Sequence, residues 1–283
     1  MPAATSAPIL VVQGPEASAR RAAALAEMCG AAPPEALAAH AWRLRGTQRH
    51  EGIAAWCEAH RIDHAWIPGG RRFGDLKLLA MDLDSTLITI ECVDEIGAFI
   101  GKRSEITAIT GQAMRGEIDY PASLRKRVAL LAGTSEDVLQ DVYDEKLRLS
   151  PGAETLIAHC KQHDVTLLLV SGGFTFFTER LKERLGLDET LSNVLDIEDG
   201  KLTGRVLGPL VDAGAKASKF KQLAQRLGAS REQTVAIGDG ANDLKMMAEA
   251  GTSIAYHAKP LVRTKATHAF DHCGLDGVIN LFD

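Results

Sequence analysis

Asp82-Leu83-Asp84-Ser85-Thr86 follows directly on the apolar run Leu76–Met81. Two carboxylates spaced by two, just past a strand end, both reach one crevice if the turn between them is tight. One can act as a nucleophile while the other gives and then takes a proton, the division of labour that covalent hydrolysis needs. A lone Asp-x-Asp is more often a solvated loop with Asx turns, but three further segments shift that balance. Val170-Ser171-Gly172-Gly173 closes a second apolar run ahead of a helix starting around Thr175, and offers a hydroxyl and main-chain amides to an anion. Lys216 lies near the start of the helix after Pro209; alone it would read as a solvated surface lysine. Gly238-Asp239-Gly240-Ala241-Asn242-Asp243 follows a third run. Its glycines permit tight turns, and Asp239, Asn242 and Asp243 present hard oxygen donors, suited to magnesium and not to zinc. Part of this cluster also fits an N-cap for the next helix. A phosphate monoester dianion repels a carboxylate nucleophile, and a magnesium ion with Lys216 offsets that repulsion.

These segments need a scaffold that collects strand ends. Leu76–Met81 and Val165–Val170 are nearly continuous apolar runs, and Thr234–Ile237 and Ser253–Tyr256 are shorter ones. With helices at about 175–186, 215–227 and 243–250, they predict an α/β fold with a Rossmann-like parallel sheet covered on both faces. Asp199-Gly200 between two β-rich stretches predicts a hairpin. Residues 92–149 interrupt the alternation with charged, helical sequence, which predicts a helical cap over the C-terminal ends of the strands. Residues 1–70 read as a separate, ferredoxin-like α/β unit. Its strands are Ile9–Val12, Ala39–Leu44 and His64–Ile67, its helices Ala17–Cys29 and Gly52–His60, and one strand is not evident. The turn-rich, basic Pro68–Gly74 divides it from residues 71–283 and reads as a linker that few contacts cross.

The four segments, in this order, resemble the haloacid dehalogenase superfamily of aspartate-nucleophile phosphatases over about residues 76–283. Finer matches resemble the phosphoserine phosphatase family: DLDSTLITIECVDEIG (Asp82–Gly97), SLRKRVALL (Ser123–Leu131), VSGGF (Val170–Phe174), GKLTG (Gly200–Gly204) and IGDGANDLKM (Ile237–Met246). The resemblance implies that Asp82 is the nucleophile and that Asp84 is the acid, then the base. It implies that Ser171, Gly172 and Lys216 cradle the phosphate, and that Asp82, the main-chain carbonyl of Asp84, and Asp239 bind magnesium. Asn242 and Asp243 would support that site, with Asn242 also among the substrate contacts. Glu91 would face the ammonium of the substrate and Arg127 its carboxylate, with Met114 and Tyr120 at apolar cap positions, an aromatic being expected at 120. The implied reaction is magnesium-dependent hydrolysis of O-phospho-L-serine to L-serine through an aspartyl phosphate, the last step of serine biosynthesis. The first 70 residues resemble an ACT-type regulatory or dimerisation domain, and the strand not evident there leaves ligand binding open. Phosphothreonine and phosphohomoserine are rival substrates. A catalytically silent binding protein is the rival from another class, and the intact set Asp82, Asp84, Lys216 and Asp239 argues against it.

Composition narrows the partners. A net charge of −5 implies no general affinity for nucleic acid or anionic lipid. The five cysteines are scattered, odd in number and without a CxxC pair, which speaks against a disulfide framework or thiolate zinc site and for a reducing compartment. Met1–Pro8 lacks the basic start and apolar run of a signal peptide, and no segment approaches the roughly 18 apolar residues of a membrane helix. A cytoplasmic enzyme with a small-molecule phospho-amino acid as partner is expected, with a homodimer as an open option. The absence of membrane spans also removes the ion-pump branch of the superfamily. His159, His163, His257, His268 and His272 have no zinc-binding spacing.

Overall fold

The computed structural model describes residues 8–283, apart from the Met114 side chain. The expectation about Met114 in the cap, and the reading of Met1–Ala7 for a targeting signal, lie outside the described residues.

The first unit runs β1 (Ile9–Gln13), α1 (Ala19–Cys29), β2 (Glu35–Ala38), β3 (Ala41–Leu44), α2 (Gly52–Ala59) and β4 (Asp63–Ile67). Its sheet has the order β2-β3-β1-β4 with antiparallel neighbours, the ferredoxin-like arrangement. Ser18 caps the start of α1 through its hydroxyl, and Gly30 ends it in the left-handed conformation. β2 is the strand that the sequence conceals. Glu-Ala-Leu-Ala is made of helix formers, sits mostly exposed on the sheet edge, and pairs with β3 across an irregularity between Ala36 and Ala38.

The two helices cover only one face of this sheet, over Leu10, Val12, Leu25, Leu44 and Ile53. Ile9, Val11, Ala65 and Ile67 point the other way and join the core of the larger unit. An antiparallel sheet with two apolar faces must bury both, so the two units meet over a wide seam. The expectation of few crossing contacts is therefore corrected. They centre on the C-terminal segment 271–283, which the linker also joins: the Gly70 N–H donates to Asp283 at 2.8 Å and the Arg71 carbonyl accepts the Asp283 N–H at 2.6 Å. The Asp63 carboxylate accepts the main-chain N–H groups of Asp271, His272 and Cys273 at 2.9, 2.9 and 2.8 Å. Gln13 donates to the Gly277 carbonyl and accepts from Asn280. Arg43 donates to the Phe282 carbonyl at 2.6 Å and pairs with Asp283 at 3.0 Å.

The second unit begins with β5 (Leu78–Asp82), continues through four cap helices, α3 (Cys92–Phe99), α4 (Arg103–Met114), α5 (Tyr120–Ala129) and α6 (Asp137–Glu145), and returns to the core with α7 (Ala153–Gln162). An isolated bridge between Ile88 and Leu149 closes the stem of the cap. Then follow β6 (Thr166–Phe174), α8 (Thr175–Leu185), β7 (Glu189–Glu198), β8 (Lys201–Leu207), α9 (Ala213–Arg226), β9 (Thr234–Gly238), α10 (Leu244–Glu249), β10 (Thr252–Tyr256), α11 (Pro260–Lys265) and β11 (His268–Phe270). The sheet order is β11-β10-β9-β5-β6-β7-β8, and its pairs are parallel except the β7–β8 hairpin, which turns at Asp199-Gly200 as the sequence predicts. The chain moves outward from β5 to β6 on one side and later to β9 on the other. The crevice at β5 is thus the switch point where open α/β sheets hold ligands.

Candidate active site

Asp82 is the last residue of β5, and the chain then turns sharply through Leu83–Leu87. Ser85 adopts the left-handed conformation, φ 54°, at this turn, a strained choice for a non-glycine residue. The turn brings Asp82 and Asp84 to one cavity of about 600 Å³. Asp82 is buried: one carboxylate oxygen accepts the Leu83 N–H at 2.7 Å, and the other lies 2.9 Å from Lys216 Nζ. The ammonium of Lys216 is shared with Asp243 at 2.8 Å, and Asp243 also accepts the Gly240 N–H.

Asp82, Asp239 and Asp243 can place one carboxylate oxygen each within 4.8 Å of one another. Burial, then the charge of Asp243, push Asp82 well above the usual carboxylate range despite Lys216. The same two causes raise Asp239 to about 6. Lys216 is itself fully buried; desolvation acts to lower its pKa, but Asp243 and Asp82 outweigh it and hold the ammonium charged. Three carboxylates around one ammonium leave a deficit of positive charge, and hard oxygen donors in such a cluster suit a divalent cation.

Asp84 points elsewhere. One carboxylate oxygen accepts the Cys92 N–H at 2.8 Å, and the other accepts the Ser171 hydroxyl at 3.4 Å. Ser171 in turn accepts the Gly173 N–H at 2.8 Å. The sequence places Ser171-Gly172-Gly173 at a strand end. In the structure β6 runs on to Phe174, and these residues form a bulge: Val170 pairs with Leu191 and Phe174 with Asn193. Three residues against one leave the loop unpaired and free to face the cavity. Gly172 has no room for a side chain, because a Cβ there would lie 2.1 Å from the Tyr120 hydroxyl.

The cap supplies the far wall. Arg127 lines the cavity from α5; its Nε is shielded from solvent without a protein acceptor, and among the described residues its guanidinium forms no ion pair. Glu91 opens onto the cavity and accepts the Ser85 hydroxyl at 2.8 Å, yet the surrounding protein, with Asp84 next, lifts its carboxyl to about 7. Asn242 lines the same cavity. Every site residue named from the sequence is thus in this cavity or in direct contact with its lining. Asp243, read as a supporting residue, is a full member of the carboxylate cluster. Sequence reasoning missed Asn193, buried behind the bulge, and Lys259, which lines the mouth and whose main-chain N–H donates to the Asp239 carbonyl. Neither carries a spacing signal, since both are brought in by tertiary packing.

Residues 79–248 match the model of the haloacid dehalogenase-like hydrolases. A phosphoserine phosphatase from Polaromonas sp. is 52% identical over 215 residues, covering 74% of this chain and 91% of that protein. Among solved structures, a HAD-family hydrolase from Salmonella enterica serovar Typhi superposes with a TM-score of 0.89 at 32% identity, covering 98% of both chains. The unliganded form of a probable phosphoserine phosphatase from Vibrio cholerae superposes with a TM-score of 0.85 at 37% identity, covering 98% of this chain and 86% of that one. The chain therefore belongs to the haloacid dehalogenase-like hydrolases and, within them, to the phosphoserine phosphatase family.

Proposed function

We propose that the protein hydrolyses O-phospho-L-serine to L-serine and phosphate, with Asp82 as nucleophile and magnesium as the cation. The observation that carries this reading is the lining of the cavity. Asp82, Asp84, Gly172 and Asp239 line it, with Lys216 and Ser171 bonded to Asp82 and Asp84, where a phosphoryl group would be held. The same cavity is lined by Arg127, with an unpaired donor, and by Glu91. A carboxylate on the substrate would supply the acceptor that Arg127 lacks, and an ammonium would hold Glu91 ionised.

In the first step an oxygen of Asp82 attacks phosphorus, and the ester bond to the serine oxygen breaks as Asp84 gives that oxygen a proton. In the second, Asp84 takes a proton from water, which attacks phosphorus and releases Asp82. Ser171 and Lys216 stay on the phosphoryl oxygens throughout and oppose their charge. Asp82, Asp239 and the main-chain carbonyl of Asp84 would hold magnesium, supported by Asn242 and Asp243. When bound, the ion supplies charge neutralisation at the phosphoryl group.

Residues 71–283 would carry all of this chemistry, and residues 1–70 would serve regulation or dimerisation. None of the proposed site residues comes from the first 70. Among the described residues no helix is long and apolar enough to cross a membrane, and all five cysteines are free and buried, which favours a reducing, cytoplasmic setting. The test is phosphate release from phosphoserine, phosphothreonine, phosphohomoserine and phosphoethanolamine, each with magnesium and with EDTA. Preference for phosphoserine that disappears in EDTA is expected; equal rates on phosphoethanolamine would overturn the assignment of Arg127 and Glu91.

A further inference from the structure

The carbonyl oxygen of Gly172 receives two hydrogen bonds from opposite sides of the site. The Tyr120 hydroxyl donates to it from the cap at 3.0 Å, and Asn193 Nδ2 donates from β7 at 2.8 Å. Asn193 is 1% exposed, and its other amide atom is also committed: Oδ1 accepts the Val211 N–H at 2.9 Å. Val211 immediately precedes Asp212, the N-cap of α9, whose side chain accepts the Ala215 N–H. One buried carboxamide therefore spans the bulged loop of β6 and the chain entering the helix that carries Lys216. Both contacts go to main chain, so they fix backbone position directly.

Peptide planarity carries the effect further. With the Gly172 carbonyl held by two donors, the Gly173 N–H must point to the opposite side of the same plane. That N–H donates to Ser171 Oγ, and the Ser171 hydroxyl in turn donates to Asp84. Two lone pairs taken by two donors leave this carbonyl no alternative partner.

We propose that Asn193 is a positioning residue for the phosphate site, orienting the Gly172–Gly173 peptide and the Ser171 hydroxyl relative to Lys216, and that the Tyr120 hydroxyl ties cap closure to that same peptide. The inference rests on the phosphoserine phosphatase reading, and adds to it a cap-to-sheet linkage that meets at one oxygen. The two donors have separable effects. Asn193 acts on the phosphoryl half of the site, which an isolated phosphate ion also probes. Tyr120 belongs to the cap, so it acts only on ligands that need the cap closed over them.

The experiment uses the full chain with magnesium and two variants. Asn193→Leu keeps the branching and number of side-chain heavy atoms and removes both the donor and the acceptor. It is expected to lower kcat roughly ten- to a hundredfold and to weaken binding of inorganic phosphate, measured by calorimetry, at least about tenfold, the scale of one or two lost hydrogen bonds. Tyr120→Phe is expected to raise KM for phosphoserine about two- to fivefold while leaving kcat and phosphate binding within about twofold. The double variant should combine the two effects, with the lowered kcat and phosphate affinity of Asn193→Leu and the raised KM of Tyr120→Phe. Wild-type phosphate affinity in a folded Asn193→Leu protein would overturn the proposal, as would a Tyr120→Phe protein whose phosphate affinity falls as far as that of Asn193→Leu. If Asn193→Leu does not fold, Tyr120→Phe decides: an unchanged KM sinks the linkage. A wild-type protein inactive on every phospho-amino acid would instead overturn the functional reading, and the phosphate-affinity arm would still judge Asn193.

Discussion

Asp63 and Asp82 are both buried aspartates, and they sit in opposite circumstances. The Asp63 carboxylate is enclosed by three main-chain N–H groups of residues 271–273, and among the described residues it forms no ion pair. Around it Gln13 and the two terminal nitrogens of Arg43 also bond the C-terminal segment, while Arg43 Nε is buried without a partner. Asp82 has one N–H and a lysine that it must share with Asp243, while Asp239 stands close by. Polar groups buried with their partners fix one geometry and ask for nothing more. Polar groups buried without enough partners favour whatever ligand makes up the difference. The seam is therefore built for stability and the crevice for binding, and the comparison can be broken from either side.

The largest expected loss of activity is at Asp82. Asp82→Asn keeps the shape and removes the nucleophilic charge, so turnover should fall by about three orders of magnitude or more. In EDTA at neutral pH the same variant should unfold at higher temperature than the wild type, because the raised pKa of Asp82 means that its charge opposes folding there. A variant both inactive and less stable in EDTA would place Asp82 with the seam residues.

Arg127→Ala comes next. Removing a charge-assisted contact of about 1.5–3 kcal/mol should lower kcat/KM for phosphoserine by roughly one to two decades, mainly through KM. Phosphoethanolamine, which lacks the carboxylate, should be spared. An equal loss on both substrates would mean that Arg127 supports the cap.

Thermal stability in EDTA against pH separates the two regions without mutation. Glu91, raised to about 7, and Asp239, raised to about 6, hold protons more tightly folded than unfolded. Their penalty is full above those values and fades as pH falls, so stability should rise from pH 8 toward the histidine range. His268 in the seam is the reverse case: burial, then Arg71, depress it from 6.5 to about 4, and burial also lowers His64 on the facing strand. Their contribution is full above 6.5 and is lost as pH falls below it. In EDTA stability should therefore rise as pH falls from 8 to about 6.5 and change little below it, where the two effects oppose, and magnesium should stabilise most on the high-pH side, since protons compete with the ion as pH falls. A curve that falls steadily from pH 8 to 5 in EDTA would show that the site carboxylates carry no such penalty.

The site was far more legible in the sequence than the seam, for physical reasons. Asp82, Ser171 and Asp239 each end or follow an apolar run, so periodicity alone puts them at strand ends on one edge of a parallel sheet. Asn193 lies on β7 among half-exposed neighbours and gives no such cue. β2 hides because an exposed edge strand needs no apolar alternation, and β11, three residues long, is too short to register as a run. Pro68–Gly74 does read as a turn, but composition there says nothing of Gln13, Arg43 and Asp63, whose partners lie more than 200 residues away. Long-range pairing of single polar residues leaves no local trace.

The smallest expected loss of activity is at Asp63. Asp63→Ala leaves the N–H groups of Asp271, His272 and Cys273 buried without an acceptor, since the seam residues around them are already committed. Breaking such a charge-assisted set costs about 3 kcal/mol or more, so the urea midpoint should fall clearly. The crevice is assembled by β5, β6 and β9 and the cap, none of which touches Asp63 through these bonds. kcat/KM for phosphoserine, measured well below the midpoint with magnesium, should therefore stay within about twofold of wild type. A fragment starting near Gly74 takes the same idea further: it loses the contacts of Gln13, Arg43 and Asp63 to segment 271–283 and exposes apolar surface that met Ile9, Val11 and Ala65, so it should be markedly less stable yet still turn over phosphoserine when folded. A stable Asp63→Ala protein with a large drop in kcat would mean that the seam shapes the crevice, and the contrast between the two aspartates would not hold.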